Sequence, residues 1–317
     1  MVDWCDHGYR MRFDLSKGQR VAFLSLDLVL IPITLVCNLT LLYTLTKTKL
    51  YRKISNFFIF GLCISDTCFA LVVQPLVAVL LIRYPDQDAC IFATIIQFLL
   101  FFNGHLSVLL IVAVSVDRFL HMRFLNNYNL FMTPRRGRIM ILVAVIIALS
   151  IAIGYTVATA LQVYIIFNGV VLIIDGIFST LILLLYMWTF WRIHRHVSDT
   201  PHLQSKTEEK ARSSLGMAKI VLLILTAVTI CYTPYIVVNL IMSYQVAIQG
   251  KWPRNVTVAA MYFSYVLVYV NSMLNAVIFM TGNKKCLEFI RRRARSLLKA
   301  EDYAVQKEEA MTQSTSL

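Results

Sequence analysis

The sequence predicts an all-α membrane protein: a seven-transmembrane helix bundle followed by a short amphipathic helix at the inner membrane surface. Three observations carry this prediction. Hydrophobic residues make up 58% of the 317 residues and charged residues only 15%, whereas an ordinary soluble domain is about 25% charged. So little charge cannot cover a water-exposed surface, and the mean hydropathy of +0.69 agrees. The apolar runs last roughly 20–28 residues, each enough to cross about 30 Å of hydrocarbon as a helix. Barrel strands would instead alternate apolar and polar residues over about 10 positions. The charged residues collect between the runs. Eleven Gly and seven Pro exclude collagen-like and linker-rich chains.

The elements follow in order. The first 20 residues form an N-terminal segment in which Asp3, Asp6, Arg10, Arg12 and Asp14 interrupt any apolar core of a cleavable signal peptide. Span one, 21–46, is then the signal anchor. Spans two to seven are read at 54–82, 90–117, 138–163, 169–191, 218–245 and 256–280. Spans four and five are nearly fused, since the apolar stretch Ile139 to Trp191 contains a single turn signal, Asn168-Gly169. A tight reversal is expected there. The seven-span bundle, 21–282, is followed by an amphipathic basic helix over 283–299. Its Leu287, Ile290, Leu297 and Leu298 would face lipid, and Arg291, Arg292, Arg293 and Arg295 water. Residues 300–317 form a cytoplasmic tail.

Orientation follows from Lys and Arg. With the N-terminus outside, seven of the 30 basic residues (Arg10, Arg12, Lys17, Arg20, Arg83, Lys251 and Arg254) lie outside, and the rest sit at cytoplasmic ends. The same placement accounts for the net charge of +13, because basic collars attract an anionic inner leaflet of the lipid bilayer. No nucleic-acid partner is expected.

Polar residues inside a membrane are expensive and need a reason. Asn38 falls in span one, Asp66 in span two, Ser107 in span three, and Asn271, Ser272 and Asn275 in span seven. Span three ends in Asp117-Arg118-Phe119, span six holds Cys231-Tyr-Thr-Pro234, and span seven holds Asn275-Ala-Val-Ile-Phe279. In this combination and order the sequence resembles a rhodopsin-like (class A) G-protein-coupled receptor over about residues 20–298. The three motifs look like that family's D-R-Y, C-W-x-P and N-P-x-x-Y. The very short loop after span four and the missing proline of span five are similar to the melanocortin, adenosine and cannabinoid group. Departures are Phe119 and Phe279 for tyrosines, Ala276 for a proline, and Tyr232 for the rotamer-switch tryptophan.

The resemblance implies a plasma-membrane receptor, not an enzyme, that binds an extracellular ligand and activates a heterotrimeric G protein, with arrestin as a second partner. Its G-protein switch would comprise Asp117, Arg118, Tyr186, Asn275 and Phe279. Its rotamer switch would be Tyr232 with Pro234. No cofactor is required, but Asp66, Ser107, Asn271, Ser272 and Asn275 match a sodium pocket, with sodium a possible allosteric modulator. Ligand-binding candidates are Gln74, Gln97, Leu100, Phe101, His105, Asp175, Tyr235, Asn239, Tyr265 and Tyr269. A biogenic amine would need an acid at Leu100 and retinal a lysine at Tyr269, so neither ligand is expected.

On this topology Cys5 and Cys90 are the two cysteines on the oxidising side and are expected to pair, since the loop after span four holds no Cys. Asn255-Val-Thr257 is a glycosylation sequon in an outer loop. Cys286 at the inner surface is a candidate for lipidation. The ending Thr315-Ser-Leu317 weakly matches a PDZ-domain ligand. Two rival readings stand beside the receptor: a seven-helix transporter or channel using Asp66, His105 and Asp175, and a non-signalling decoy receptor.

Overall fold

The structure, a computed structural model, describes residues 15–83, 89–124, 127–161, 163–198, 206–247, 255–296 and 299. Among them seven helices are long and apolar enough to cross a membrane. Helix α1 is Lys17–Lys47, beginning four residues before the expected span. Ser16 caps it reciprocally: its hydroxyl accepts from the Gln19 N–H at 3.3 Å, and the Gln19 side chain accepts from the Ser16 N–H at 3.0 Å. This capping box satisfies two of the orphan donors at the helix start.

Helix α2 runs over Ile54–Cys68 and Gln74–Arg83, joined by a π-helical turn at Phe69–Val73. Pro75 lies two residues beyond that turn. It has no N–H to offer the carbonyl four residues back, so the chain widens there without losing a further bond. Helix α3 is Ala89–Arg123. A one-turn helix, Tyr128–Phe131, leads to α4, Pro134–Ala160, whose Thr133 cap accepts from the Arg136 N–H. Helices α5 (Tyr164–Ser198), α6 (Lys206–Ala247) and α7 (Asn255–Gly282) complete the bundle. A last helix, α8, covers 284–296 and is capped by Asn283, whose side-chain oxygen accepts from the N–H groups of Lys285 and Cys286.

The structure corrects the expected reversal between spans four and five. Asn168-Gly169 lies inside α5, and the break falls between Ala160 and Tyr164. A glycine within a helix costs about 1 kcal/mol. Peptide groups left unpaired in hydrocarbon cost several kcal/mol each. Continuous helix therefore wins over local turn preference. Gly154 makes the α4–α5 contact close: a Cβ there would lie 2.9 Å from the Phe167 ring.

Helix α3 is central, packing against α2, α4, α5 and α6, while α1 closes against α2 and α7. One apolar core, including Leu41, Phe58, Leu110, Ile224 and Phe279, fills the end of the bundle that carries Arg118 and the first basic loop. That end is called the basic end below. A second core, around Val77, Ile96, Val258 and Tyr262, fills the other. The outward side chains of α4 and α5 are apolar, among them Leu142, Ile146, Ile153, Ile173, Ile177 and Leu181. On α8, Cys286 is buried and Leu287 and Ile290 are half-buried, while Arg291, Arg292, Arg293 and Arg295 are exposed as expected. Residues 297 and 298 lie outside the described residues.

Candidate functional site

Three polar groups lie one above another through the bundle. At the basic end Arg118 donates from Nε and Nη2 to Asp117 Oδ2 at 2.9 and 2.6 Å. Asp117 is fully buried and Arg118 is 5% exposed. The other carboxylate oxygen of Asp117 accepts from the Tyr128 hydroxyl. Sequence reasoning missed Tyr128. It lies in a loop with no periodicity, and only folding of the one-turn helix under α3 brings it to Asp117. Tyr186 is buried and its hydroxyl donates to the Ala218 carbonyl of α6 at 3.4 Å. Phe279 is fully buried in the apolar core, as is Ala276.

In mid-bundle Asp66 accepts from the Ser107 hydroxyl and from the Asn275 side-chain amide, both at 3.3 Å. Asn271 and Asn275 each keep a buried side-chain oxygen with no hydrogen-bond donor. Ser65 donates to Asn103 at 2.9 Å. Asn38 ties α1 to α7 by donating to the Ser272 carbonyl at 3.1 Å. A carboxylate in contact with Asn275, whose amide oxygen has no donor, offers oxygen ligands of the kind that a hard monovalent cation takes.

The third group lines a cavity of about 290 Å³ between α3, α5, α6 and α7. Gln97, Leu100, Phe101, His105, Asp175, Tyr235 and Tyr265 line it, as does Tyr232. Ser107 and Ser272 line its floor beside Asp66. Three expected ligand contacts lie outside the wall. Gln74 and Tyr269 are buried against neighbouring helices, and Asn239 donates back to the Tyr235 carbonyl of its own helix at 2.8 Å. The π turn at Phe69–Val73 changes which face of α2 follows it, an effect that the spacing of apolar residues does not signal.

Aromatic stacking holds the cavity wall. Phe101 lies between Tyr155 (centroids 3.9 Å apart) and His105 (5.6 Å), and the Tyr155 hydroxyl donates to Gln97 at 3.1 Å. His105 bridges helices: Nε2 meets Asp175 Oδ2 at 2.9 Å and Nδ1 meets the Phe101 carbonyl at 2.7 Å. A carbonyl only accepts, so Nδ1 carries a proton. Nε2 then either donates a second proton to an ionised Asp175 or accepts one from a protonated Asp175. Either way the pair is neutral as a whole.

The remaining expectations fall differently. Cys5 lies outside the described residues, as do the side chains of Cys90 and Asn255, and residues 300–317 with the terminal Thr315-Ser-Leu317. Cys286 is 0% exposed, and burial pushes its thiol up to about 11. The lipidation candidate thus lies buried in the apolar core at the basic end.

The family profile described as 7 transmembrane receptor (rhodopsin family) matches residues 37–279. The chain belongs to that family, whose members here are receptors and not enzymes. It is 20% identical to the adenosine receptor A3 of Ovis aries over 291 residues, 84% of this chain and 88% of that receptor. It is 24% identical to the adenosine receptor A2b of Gallus gallus over 138 residues, 43% of this chain and 39% of that receptor. It is 22% identical to the galanin receptor 2a of Danio rerio over 262 residues, 78% of this chain and 70% of that receptor.

Proposed function

We propose that this protein is a plasma-membrane receptor, N-terminus outside and C-terminus inside, that takes a ligand into the α3–α7 cavity and promotes nucleotide exchange on a heterotrimeric G protein at its basic end. One observation carries the reading: the ligand-sized cavity reaches Ser107 and Ser272, beside Asp66, and Asp66 is tied to α7 through Asn275. A ligand that fits one arrangement of this polar floor better than another shifts the population toward it by its differential affinity. Arg118, held by Asp117 in a buried pair, is the group such a shift would release. Family membership supports both partners.

The cavity favours a small molecule, since about 290 Å³ is at the low end of drug-sized sites. His105 already balances Asp175, so a neutral ligand with hydrogen-bonding groups suits the wall better than a free cation. Two of the relatives are adenosine receptors and one a galanin receptor; a small ligand of the former kind agrees with the cavity's size. Sodium binding at Asp66, Ser107, Asn271, Ser272 and Asn275 would favour the resting arrangement.

The test is nucleotide exchange by purified receptor and G proteins across a small-molecule library. Exchange that rises with ligand and is lost in Arg118→Ala at equal ligand binding is the expected result. Ligand binding without exchange on any G protein would mark a decoy receptor. Uptake or current that survives removal of G proteins would mark a transporter or channel.

A further inference from the structure

A cleft at the basic end has no part in that reading. It lies between the start of α2, the end of α3, the one-turn helix Tyr128–Phe131 and the start of α4. Two adjoining cavities form it, of about 440 and 180 Å³, which share Arg52, Ile54 and Pro134. Lys53 and His121 enter the larger and Arg138 the smaller. Among the described residues no acidic side chain lines either. Asp117, which packs behind Tyr128, is fully buried and is bound to Arg118 and to the Tyr128 hydroxyl. Arg52, Lys53 and Arg138 are exposed, and no salt bridge among the described residues involves them. Three cations thus share one concave site with no carboxylate among the described residues to balance them.

The end of α4 adds to the imbalance. Helix N-termini carry partial positive charge, which an acid in the first turn would offset. Here the first turn has no acid and reads Pro134-Arg135-Arg136. Depth sets the chemistry of the occupant. The apolar spans of α2 and α4 begin at Asn56 and Pro134, so the cleft opens where the bundle leaves hydrocarbon. Half-buried Ile54 and Phe57 form its apolar side.

We propose that this cleft binds the headgroup of a polyphosphorylated inositol phospholipid in the leaflet it faces. The phosphates would lie among Arg52, Lys53, Arg138 and the N-terminus of α4, with the acyl chains passing Ile54 and Phe57 into the membrane. A serine headgroup, with one phosphate and one carboxylate against its ammonium, is a net monoanion with less charge to offer three cations, and is too small for a cleft of this size. A soluble inositol phosphate shares the phosphate chemistry but leaves the apolar side empty. The assignment stands independently of any G-protein activity.

The test uses the full chain in phosphatidylcholine nanodiscs, titrated with a fluorescent short-chain phosphatidylinositol bisphosphate. Arg52→Gln/Lys53→Gln/Arg138→Gln is compared with Arg291→Gln/Arg292→Gln/Arg293→Gln on α8, which removes the same charge elsewhere. The first triple variant should weaken binding at least tenfold and the second less than twofold. Arg52→Lys/Arg138→Lys, which keeps the charge, should remain within threefold of the parent and so separates lost binding from lost folding. Equal losses in the two triple variants would reduce the effect to the general attraction of a basic collar and overturn the proposal. Two other results overturn the lipid assignment: free inositol trisphosphate competing as strongly as the lipid, or phosphatidylserine binding as tightly as the bisphosphate.

Discussion

At the scale of single residues, the buried polar groups give the clearest expectations. His105 and Asp175 are half-buried partners across α3 and α5. Removing either leaves the other without its bond, so a double-mutant cycle should show coupling of about 1–2 kcal/mol. Thermal unfolding of His105→Ala, Asp175→Ala and the pair measures it, and additive losses would refute the bridge. Asp66→Asn should abolish any effect of sodium on ligand-stimulated nucleotide exchange, whereas the parent loses signal as sodium rises. Identical sodium titrations in the two would reject the cation site. Cys286 is expected to be inert. Its thiol is buried and pushed up to about 11, above its ordinary 9.0, so almost no thiolate, the reactive form, exists at neutral pH. Labelling should be negligible in the folded protein at pH 7 and should appear at the same pH on denaturation. Maleimide labelling read by mass checks this, and a hydroxylamine-sensitive acyl group on Cys286 would contradict it.

At the scale of helices, the contacts between α6 and its neighbours at the basic end decide how tightly the receptor rests. Gly282 ends α7 against Ile220 of α6, and a Cβ there would lie 2.5 Å from Ile220 Cγ1. Gly282→Ala must therefore push the two helix ends apart, an overpacking cost of about 1–3 kcal/mol. Lower thermal stability and higher basal exchange are expected, and in an Ile220→Ala background, itself destabilised by the loss of a buried side chain, Gly282→Ala should cost less than in the parent. Additive losses would point elsewhere. Eight residues into α6, at the place where the resemblance to the family implies an acid, this chain has Ser214, more than one turn beyond Glu208 and Glu209, and Arg118 has Asp117 as its ion-pair partner among the described residues. A partly exposed ion pair contributes at most about 1 kcal/mol. Ser214→Glu should thus lower basal exchange up to about fivefold, at equal surface expression. A parent with no basal exchange, or a measurable basal signal indifferent to Ser214→Glu, would sink the idea.

At the scale of the whole molecule, topology is the testable property. The seven basic residues at one end and the 23 at the other predict an N-terminal epitope stained on intact cells and a C-terminal one stained only after permeabilisation. The expected Cys5–Cys90 bridge adds a second reading of the same side. Two thiols on intact cells labelled without reductant would exclude it.

The sequence by itself determined the seven helices, their order and the family. Each apolar run must satisfy its backbone internally in hydrocarbon, which leaves little choice but helix. The same pressure made Asp66, Asp117 and Arg118 legible, since a charge within a span stands out against its apolar surroundings. Only the tertiary structure decided where the chain turns between α4 and α5, because a turn signal of about 1 kcal/mol is outweighed by unpaired peptide groups in lipid. It also decided which polar residues share a wall. Gln74 and Tyr269 leave the cavity and Tyr128 reaches Asp117 through a π turn and a one-turn helix, neither of which has a periodic signature. The basic cleft is of the same kind: Arg52, Lys53 and Arg138 are ordinary loop and helix-end cations in the sequence, and only folding places them around one space without an acid.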